Sequence, residues 1–392
     1  MPPIPGSVSV GLASLASLAR PCAGAWQYDP EQKIESARLF GNMHQYAYYF
    51  TDIMVGKPTP QRVSVIIDTG SRLSGFPCAG CDHCGEHLDP PFDISSSETA
   101  SWSSCAAEGC TAECVGDRCS YRESYAEGSS LEGFWFTDFV ELGDSFSKNP
   151  AVRVKMGCHD REDNLFFSQK ANGIMGLAPS MGSQPTILQE LFHDGQHIDA
   201  RVFAICLAGW GGRMTLGGYN SSYHLAKPGG EPVQWVALRM TEYYFVSIDG
   251  LGIVDGRETV HIGLGATANP FGATIVDSGT TYTYFPDEVF SALATRLEDY
   301  CAEHGGCGAD RESDRCWRLR GGASGPTGFP PLAVQFSGGV SVEWEPRSYL
   351  QQHGDDALWC RTFMGTTTKQ TILGISFMLY KDFIFDLALG RL

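Results

Sequence analysis

Two aspartates carry the chemistry this sequence can offer. Val65-Ile66-Ile67-Asp68-Thr69-Gly70-Ser71 returns about 200 residues later as Ile275-Val276-Asp277-Ser278-Gly279-Thr280-Thr281. In each copy a short apolar run, read as a buried strand, delivers an Asp to a turn that Gly permits. A carboxylate placed there is neither a surface charge nor a helix cap. If two similar halves pack about a pseudo-twofold axis, Asp68 and Asp277 meet at the seam, where two close carboxylates cannot both ionise. They then share one proton, which supplies a general acid and a general base in one place. Thr69, Ser71, Ser278 and Thr280 are expected to hydrogen-bond the pair, and Gly70 and Gly279 to let backbone amides approach it.

Each half also holds an apolar-apolar-Gly element, Ile174-Met175-Gly176 and Ile372-Leu373-Gly374, following its own Asp motif. These four pieces in this order resemble the pepsin-like aspartic proteases, from about Arg38 to the end of the chain. The resemblance implies an all-β, bilobal fold with the cleft between two pseudo-twofold-related lobes, each apolar-Gly element threading behind its catalytic loop. It also implies peptide hydrolysis by an activated water, without covalent intermediate, cofactor or metal, by a monomer acting on peptides or proteins. Residues 1–37, rich in Pro, Gly, Ala and Ser, read as a flexible lead or prosegment remnant. Residues 38–208 then form the first lobe and 209–392 the second.

Composition narrows the setting. The chain has 392 residues, enough for two cores, and a formal charge of 28 − 45 = −17, which argues against nucleic acid as a partner. Fourteen cysteines suit seven disulfides made in an oxidising compartment. Asn220-Ser221-Ser222 is a glycosylation acceptor compatible with the same route. No run of eighteen apolar residues is present, and the mildly apolar start lacks a basic flank for a signal peptide. The last residues, Gly390-Arg391-Leu392, stop where relatives continue, which leaves room for a membrane anchor beyond them. The expected location is the secretory pathway lumen, endoplasmic reticulum or Golgi.

Cys78, Cys81, Cys84 and His87 have a spacing that a zinc site also shows. Cys105, Cys110, Cys114 and Cys119 follow as ready disulfide partners and favour covalent staples. The insert resembles the cysteine-rich one of nepenthesin-type proteases. After it, Tyr121–Ser124 and Phe134–Val140 flank a Gly-Ser turn, a hairpin where the family places its mobile flap. Tyr125 matches the flap tyrosine. Gly75 stands where the family usually has a Trp bonded to that tyrosine.

The run Ser124-Tyr125-Ala126-Glu127-Gly128-Ser129, with Phe167-Ser168-Gln169-Lys170-Ala171-Asn172-Gly173 and Met156-Gly157-Cys158-His159, is similar to the plasmepsin V type of apicomplexan export protease. That type cuts Arg-x-Leu export motifs after the leucine, and the resemblance assigns Glu127 and Gln169 to the motif's arginine. A carboxylate and an amide carbonyl facing one guanidinium is sound chemistry, since Arg is a charged fork of donors. Ala126 stands where that type has a free cysteine. The alternatives are a broad acid protease of nepenthesin type and a non-catalytic glycosidase-inhibiting protein on the same fold.

Overall fold

A computed structural model describes Glu31 and residues 33–392, apart from 107–109, 111–112, 145–148, 181–185, 196–197, 220–223, 225–232, 266–267, 322–324 and 355–356. The glycosylation acceptor at Asn220 and nearly all of the expected lead lie outside the described residues. The chain is mostly strand.

In the first half the order is β1 (Glu35–Asn42), β2 (Tyr48–Val55), β3 (Gln61–Asp68), β4 (Ser74–Pro77), β5 (Ser101–Trp102), β6 (Cys114–Val115), β7 (Arg118–Ser124), β8 (Ser130–Leu142), β9 (Ala151–Glu162), α1 (Leu165–Ser168), β10 (Gly173–Gly176), α2 (Ile187–Asp194), β11 (Val202–Leu207) and β12 (Gly212–Leu216). β3 is buried continuously from Val63 to Asp68, because it is central, with β2 antiparallel on one side and β10 parallel on the other. A strand covered on both faces reads as an unbroken apolar run rather than an alternating one. β1 begins inside the stretch expected to be a lead. Ser36 and Ala37 pair with Thr215 and Met214, so the ordered lobe starts earlier than residue 38.

The second half contains β13 (Arg239–Met240), β14 (Tyr244–Val246), β15 (Ile248–Asp255), β16 (Glu258–His261), β17 (Ala273–Val276), β18 (Thr283–Pro286) and α3 (Asp287–Glu303). In α3 Val289, Leu293, Leu297 and Cys301 are buried on one face, as the apolar spacing requires. β17 pairs in parallel with the strand Gln370–Leu373, repeating the β3–β10 arrangement. The strand Asp382–Asp386 crosses back and pairs with β11. β11 also pairs with β12, and β12 with β1. The expected boundary near Gly209 therefore falls inside a hairpin that belongs to one sheet shared by the two halves.

Six disulfides are present among the described residues: Cys78–Cys158, Cys81–Cys84, Cys105–Cys114, Cys110–Cys119, Cys301–Cys307 and Cys316–Cys360. Cys206 is disulfide-bonded as well. Cys78, Cys81 and Cys84 thus have no thiolate to offer a metal. The Cys-rich insert is tied to β9 through Cys158, and the stretch after α3 is tied to α3 by Cys301–Cys307 and to the strand Leu358–Arg361 by Cys316–Cys360.

Candidate active site

Asp68 ends β3 and Asp277 follows β17, and the two parallel partners, β10 and Gln370–Leu373, fix both loops from behind. Gly176 can occupy its place only because it lacks a Cβ, which would lie 2.4 Å from the backbone of Arg72. Gly374 is equivalent, 2.2 Å from the carbonyl oxygen of Tyr282. Two apolar-Gly elements therefore serve the same steric purpose, letting backbone press against the back of each catalytic loop.

The carboxylates meet across the seam, 7% and 8% exposed for Asp68 and Asp277. A Cβ on Gly70 would stand 2.6 Å from Asp277 Oδ1, and one on Gly279 would stand 2.3 Å from Asp68 Oδ1. Each Asp thus lies against the glycine of the opposite motif. Gly70 N–H donates to Asp68 Oδ1 at 2.7 Å and Gly279 N–H to Asp277 Oδ1 at 2.8 Å. Asp277 gains a second donor, the Thr280 hydroxyl, at 2.6 Å. Burial, and then the charge of Asp277, push the Asp68 carboxyl well above the ordinary carboxylate range. Two carboxylates this close cannot both ionise freely, and burial with the neighbouring charge favours a proton on Asp68.

Thr69 and Ser278 do something other than the expected bonding to the carboxylates. Thr69 N–H donates to Ser278 Oγ (3.0 Å) and Thr69 Oγ1–H to Val276 O (2.9 Å). Ser278 N–H donates to Thr69 Oγ1 (2.9 Å) and Ser278 Oγ–H to Ile67 O (2.9 Å). Four buried hydrogen bonds thus lock the two loops to each other and set the spacing of the carboxylates. Ser71 also departs from expectation: its buried Oγ faces Asp68 and the Tyr125 phenol, yet forms no well-shaped hydrogen bond to either. Removing one side of the lock, in Thr69→Val or Ser278→Ala, leaves buried partners unsatisfied and should cost about 1–3 kcal/mol for each group left unpaired. Denaturant titration checks this, and an unchanged midpoint would show that the lock contributes nothing to stability.

The flap hairpin is β7–β8, with Ser124 opposite Ser130 and a tight turn closed by Gly128 N–H to Tyr125 O at 3.0 Å. Tyr125 packs on Phe166 of α1 at 4.9 Å between ring centroids. Burial first, and then the Asp68 charge, hold its phenol well above the usual range.

A family described as "Xylanase inhibitor N-terminal" matches residues 49–218, and one described as "Xylanase inhibitor C-terminal" matches 243–392. Aspartic protease 5 of Toxoplasma gondii is 33% identical over 399 residues, covering 91% of this chain and 36% of that protein. Plasmepsin V of Plasmodium falciparum is 27% identical over 441 residues, covering 89% of this chain and 71% of its own length. Nepenthesin-2 of Nepenthes gracilis, an aspartic proteinase, is 26% identical over 311 residues, covering 74% of this chain and 64% of its own length. The chain spans about a third of the Toxoplasma relative. It belongs to the pepsin-like aspartic proteases.

In this aspartic protease the space usually given to a flap-bonding Trp is closed. A Cβ on Gly75 would meet Gly157 O and His159 Nε2, each at 2.8 Å. Tyr121 fills the neighbouring volume, with its ring 4.6 Å from that of Trp135. Glu127 lies exposed at the flap tip. Gln169 caps the C-terminal end of α1. The structure brings their elements together: Asn164 Nδ2 donates to Gly128 O at 2.6 Å, and Leu165 N–H to Ser129 Oγ at 3.3 Å. Gln169 Nε2 is buried without a partner.

The segment after Gln169 is held from several sides. Tyr48 OH accepts from Lys170 N–H (2.8 Å) and Ala171 N–H (3.1 Å), and Leu88 N–H donates to Lys170 O (2.8 Å). Asn172 joins Ser64 of β3 to Asp89 of the insert. A buried cluster of His87, His159 and Glu162 completes the support, and none of it stands out in the sequence. The one available sign is His159 preceding Glu162 by three. In a regular strand that spacing puts the two on opposite faces. A bulge at Asp160, where Glu132 pairs with Arg161 and Gly133 with His159, returns them to the same side.

Proposed function

We propose that the protein is a secretory-pathway endopeptidase that cleaves Arg-x-Leu export motifs after the leucine. The observation that carries the specificity is the docking of the Glu127-bearing flap tip onto α1, which is capped by Gln169. The guanidinium would lie between the Glu127 carboxylate and the Gln169 side-chain amide. A half-turn of that amide presents its carbonyl as an acceptor. The disulfides support an oxidising compartment, and among the described residues no helix is long and apolar enough to cross a membrane.

The chemistry follows from the shared proton. The ionised carboxylate takes a proton from water, and the resulting hydroxide attacks the carbonyl carbon. The protonated carboxyl meanwhile hydrogen-bonds the carbonyl oxygen as negative charge develops there. The tetrahedral intermediate then collapses, the C–N bond breaks, and the leaving amine takes a proton from the dyad. Thr69 and Ser278 hold the spacing on which both steps depend.

A pair of peptides, Arg-x-Leu and Lys-x-Leu, tests the specificity. Glu127→Ala should lower kcat/KM for the Arg peptide about 10- to 100-fold, the worth of a hydrogen bond to a charged group. It should leave the Lys peptide, already poor, nearly unchanged. Equal cutting of both peptides by the unaltered protein would sink the arginine site and favour the broad nepenthesin-like reading.

A further inference from the structure

The strongest unused feature is the cluster behind α1. Glu162 closes β9 with its side chain fully buried. Oε1 lies 2.8 Å from His159 Nδ1, and Oε2 lies 2.9 Å from His87 Nε2. The other nitrogen of His87, Nδ1, lies 3.1 Å from Gln169 O. Gly85, in the same insert, lets the insert approach α1, since a Cβ there would fall 1.8 Å from Phe167 O. His83 stacks on Phe167 at 4.7 Å, and its Nδ1 lies 2.9 Å from Glu162 O.

We propose that His87, held by Glu162, is a specificity-positioning residue that fixes the main chain of Gln169 only while its ring carries both protons. This rests on the arginine reading above. The assignment comes from hydrogen-bond accounting. A backbone carbonyl only accepts, and an ionised carboxylate only accepts, so a ring placed between them must donate from both nitrogens. Burial raises the Glu162 carboxyl, but hydrogen bonds from His159 and His87 outweigh it and hold the group below its usual value, so it is ionised. His87 can keep both contacts at once only as an imidazolium. His159 needs only Nδ1–H, because its Nε2 meets no partner.

The charges around the cluster are few. Tyr121 of β7 sits beside it, with a phenol raised well above its usual value by burial first and then by Tyr125, Glu162 and Asp160. Asp160 and His83 flank it, Lys170 follows Gln169, and Arg161 turns outward to Asp163. The His87–Glu162 pair is the cluster's internal charge balance. When pH rises and the imidazolium loses a proton, one nitrogen becomes a lone pair facing an acceptor. Either the bond to Gln169 O or the bond to Glu162 is lost. The arginine site then loses the fixed position of one wall.

Two peptides with statine at the cleavage position, Arg-x-statine and citrulline-x-statine, separate this from the dyad's own titration, because their ratio of Kd cancels it. In the unaltered protein the preference for Arg should fall about five- to tenfold between pH 5 and 8, less than the loss of a direct contact, because the broken bond holds the wall of the site and not the guanidinium. In His87→Gln the preference should be lower at pH 5 and flat. A preference that is present, pH-independent and unchanged in His87→Gln would overturn the proposal while leaving the arginine site intact. No preference at any pH in the unaltered protein would overturn the arginine site itself. Nitrogen chemical shifts of 15N-histidine-labelled unaltered protein give a check free of any variant's folding. Two protonated ring nitrogens on His87 at pH 5 support the proposal, and one lone-pair nitrogen there refutes it.

Discussion

Asp277→Asn is expected to lower peptide cleavage on the order of 10³-fold or more, with no loss of folded protein. The asparagine keeps the shape and the Gly279 N–H contact, but it cannot take a proton from water. Burial still pushes the Asp68 carboxyl up, but the contribution of the Asp277 charge is gone, and with it the ionised partner the reaction needs. Asp68→Asn should be as severe for the complementary reason, since the group that donates to the carbonyl oxygen is replaced. In the unaltered protein the raised Asp68 keeps the singly protonated pair well above the pH at which ordinary carboxylates ionise. The alkaline limb of kcat/KM should therefore lie above that range. Full activity retained in either Asn variant would show that hydrolysis does not run through this pair, and no activity in the unaltered protein would favour the non-catalytic reading.

The second large effect concerns stability rather than catalysis. Glu35, on β1, is wholly buried, and neither carboxylate oxygen has a hydrogen-bond partner among the described residues. Burial first, and then the charges of Asp194 and Glu141, push its carboxyl up to about 8. The folded state thus holds a proton that the unfolded chain releases near the ordinary glutamate value of 4.5. Between those values stability falls as pH rises, by about 1.4 kcal/mol per unit at the steepest. Above the upper one the loss is complete. Glu35→Gln should flatten this dependence, and Glu35→Leu should raise Tm at pH 8 by several degrees by removing an unpaired buried polar group. Melting curves at pH 5 and pH 8 decide it. The idea fails if Glu35→Gln leaves the pH dependence of Tm unchanged.

What the sequence made legible was what is local. An Asp on a Gly turn after an apolar strand announces itself in seven residues, and its repetition predicts a seam. The apolar-Gly elements are equally compact, and both lie behind their loops as expected. The flap hairpin is legible in the strand pattern, whereas Tyr125 is marked only by the resemblance to the family's flap tyrosine. Thr69 and Ser278 were recognised as important but given the wrong partners. Their true bonds cross between residues 209 positions apart, and nothing in the local sequence states which oxygen will be nearest. Glu35 sits at the edge of a Pro- and Gly-rich stretch, and its burial is imposed by elements far along the chain. For His87 the sequence offers only a possible metal ligand, because spacing to cysteines is visible and a contact with Gln169 O is not. Gly75 could be seen as a departure, but not that a histidine nitrogen lies against it.

The exchange of hydrogen bonds between Thr69 and Ser278 has a consequence for how the activity could be divided. Neither loop is complete by itself: each borrows its acceptors from the other half. Made as two separate polypeptides, the halves would each carry one carboxylate and an unsatisfied loop, and both would be silent. Turnover would return only with reunion, so that hydrolysis becomes a reporter of the two pieces having found each other.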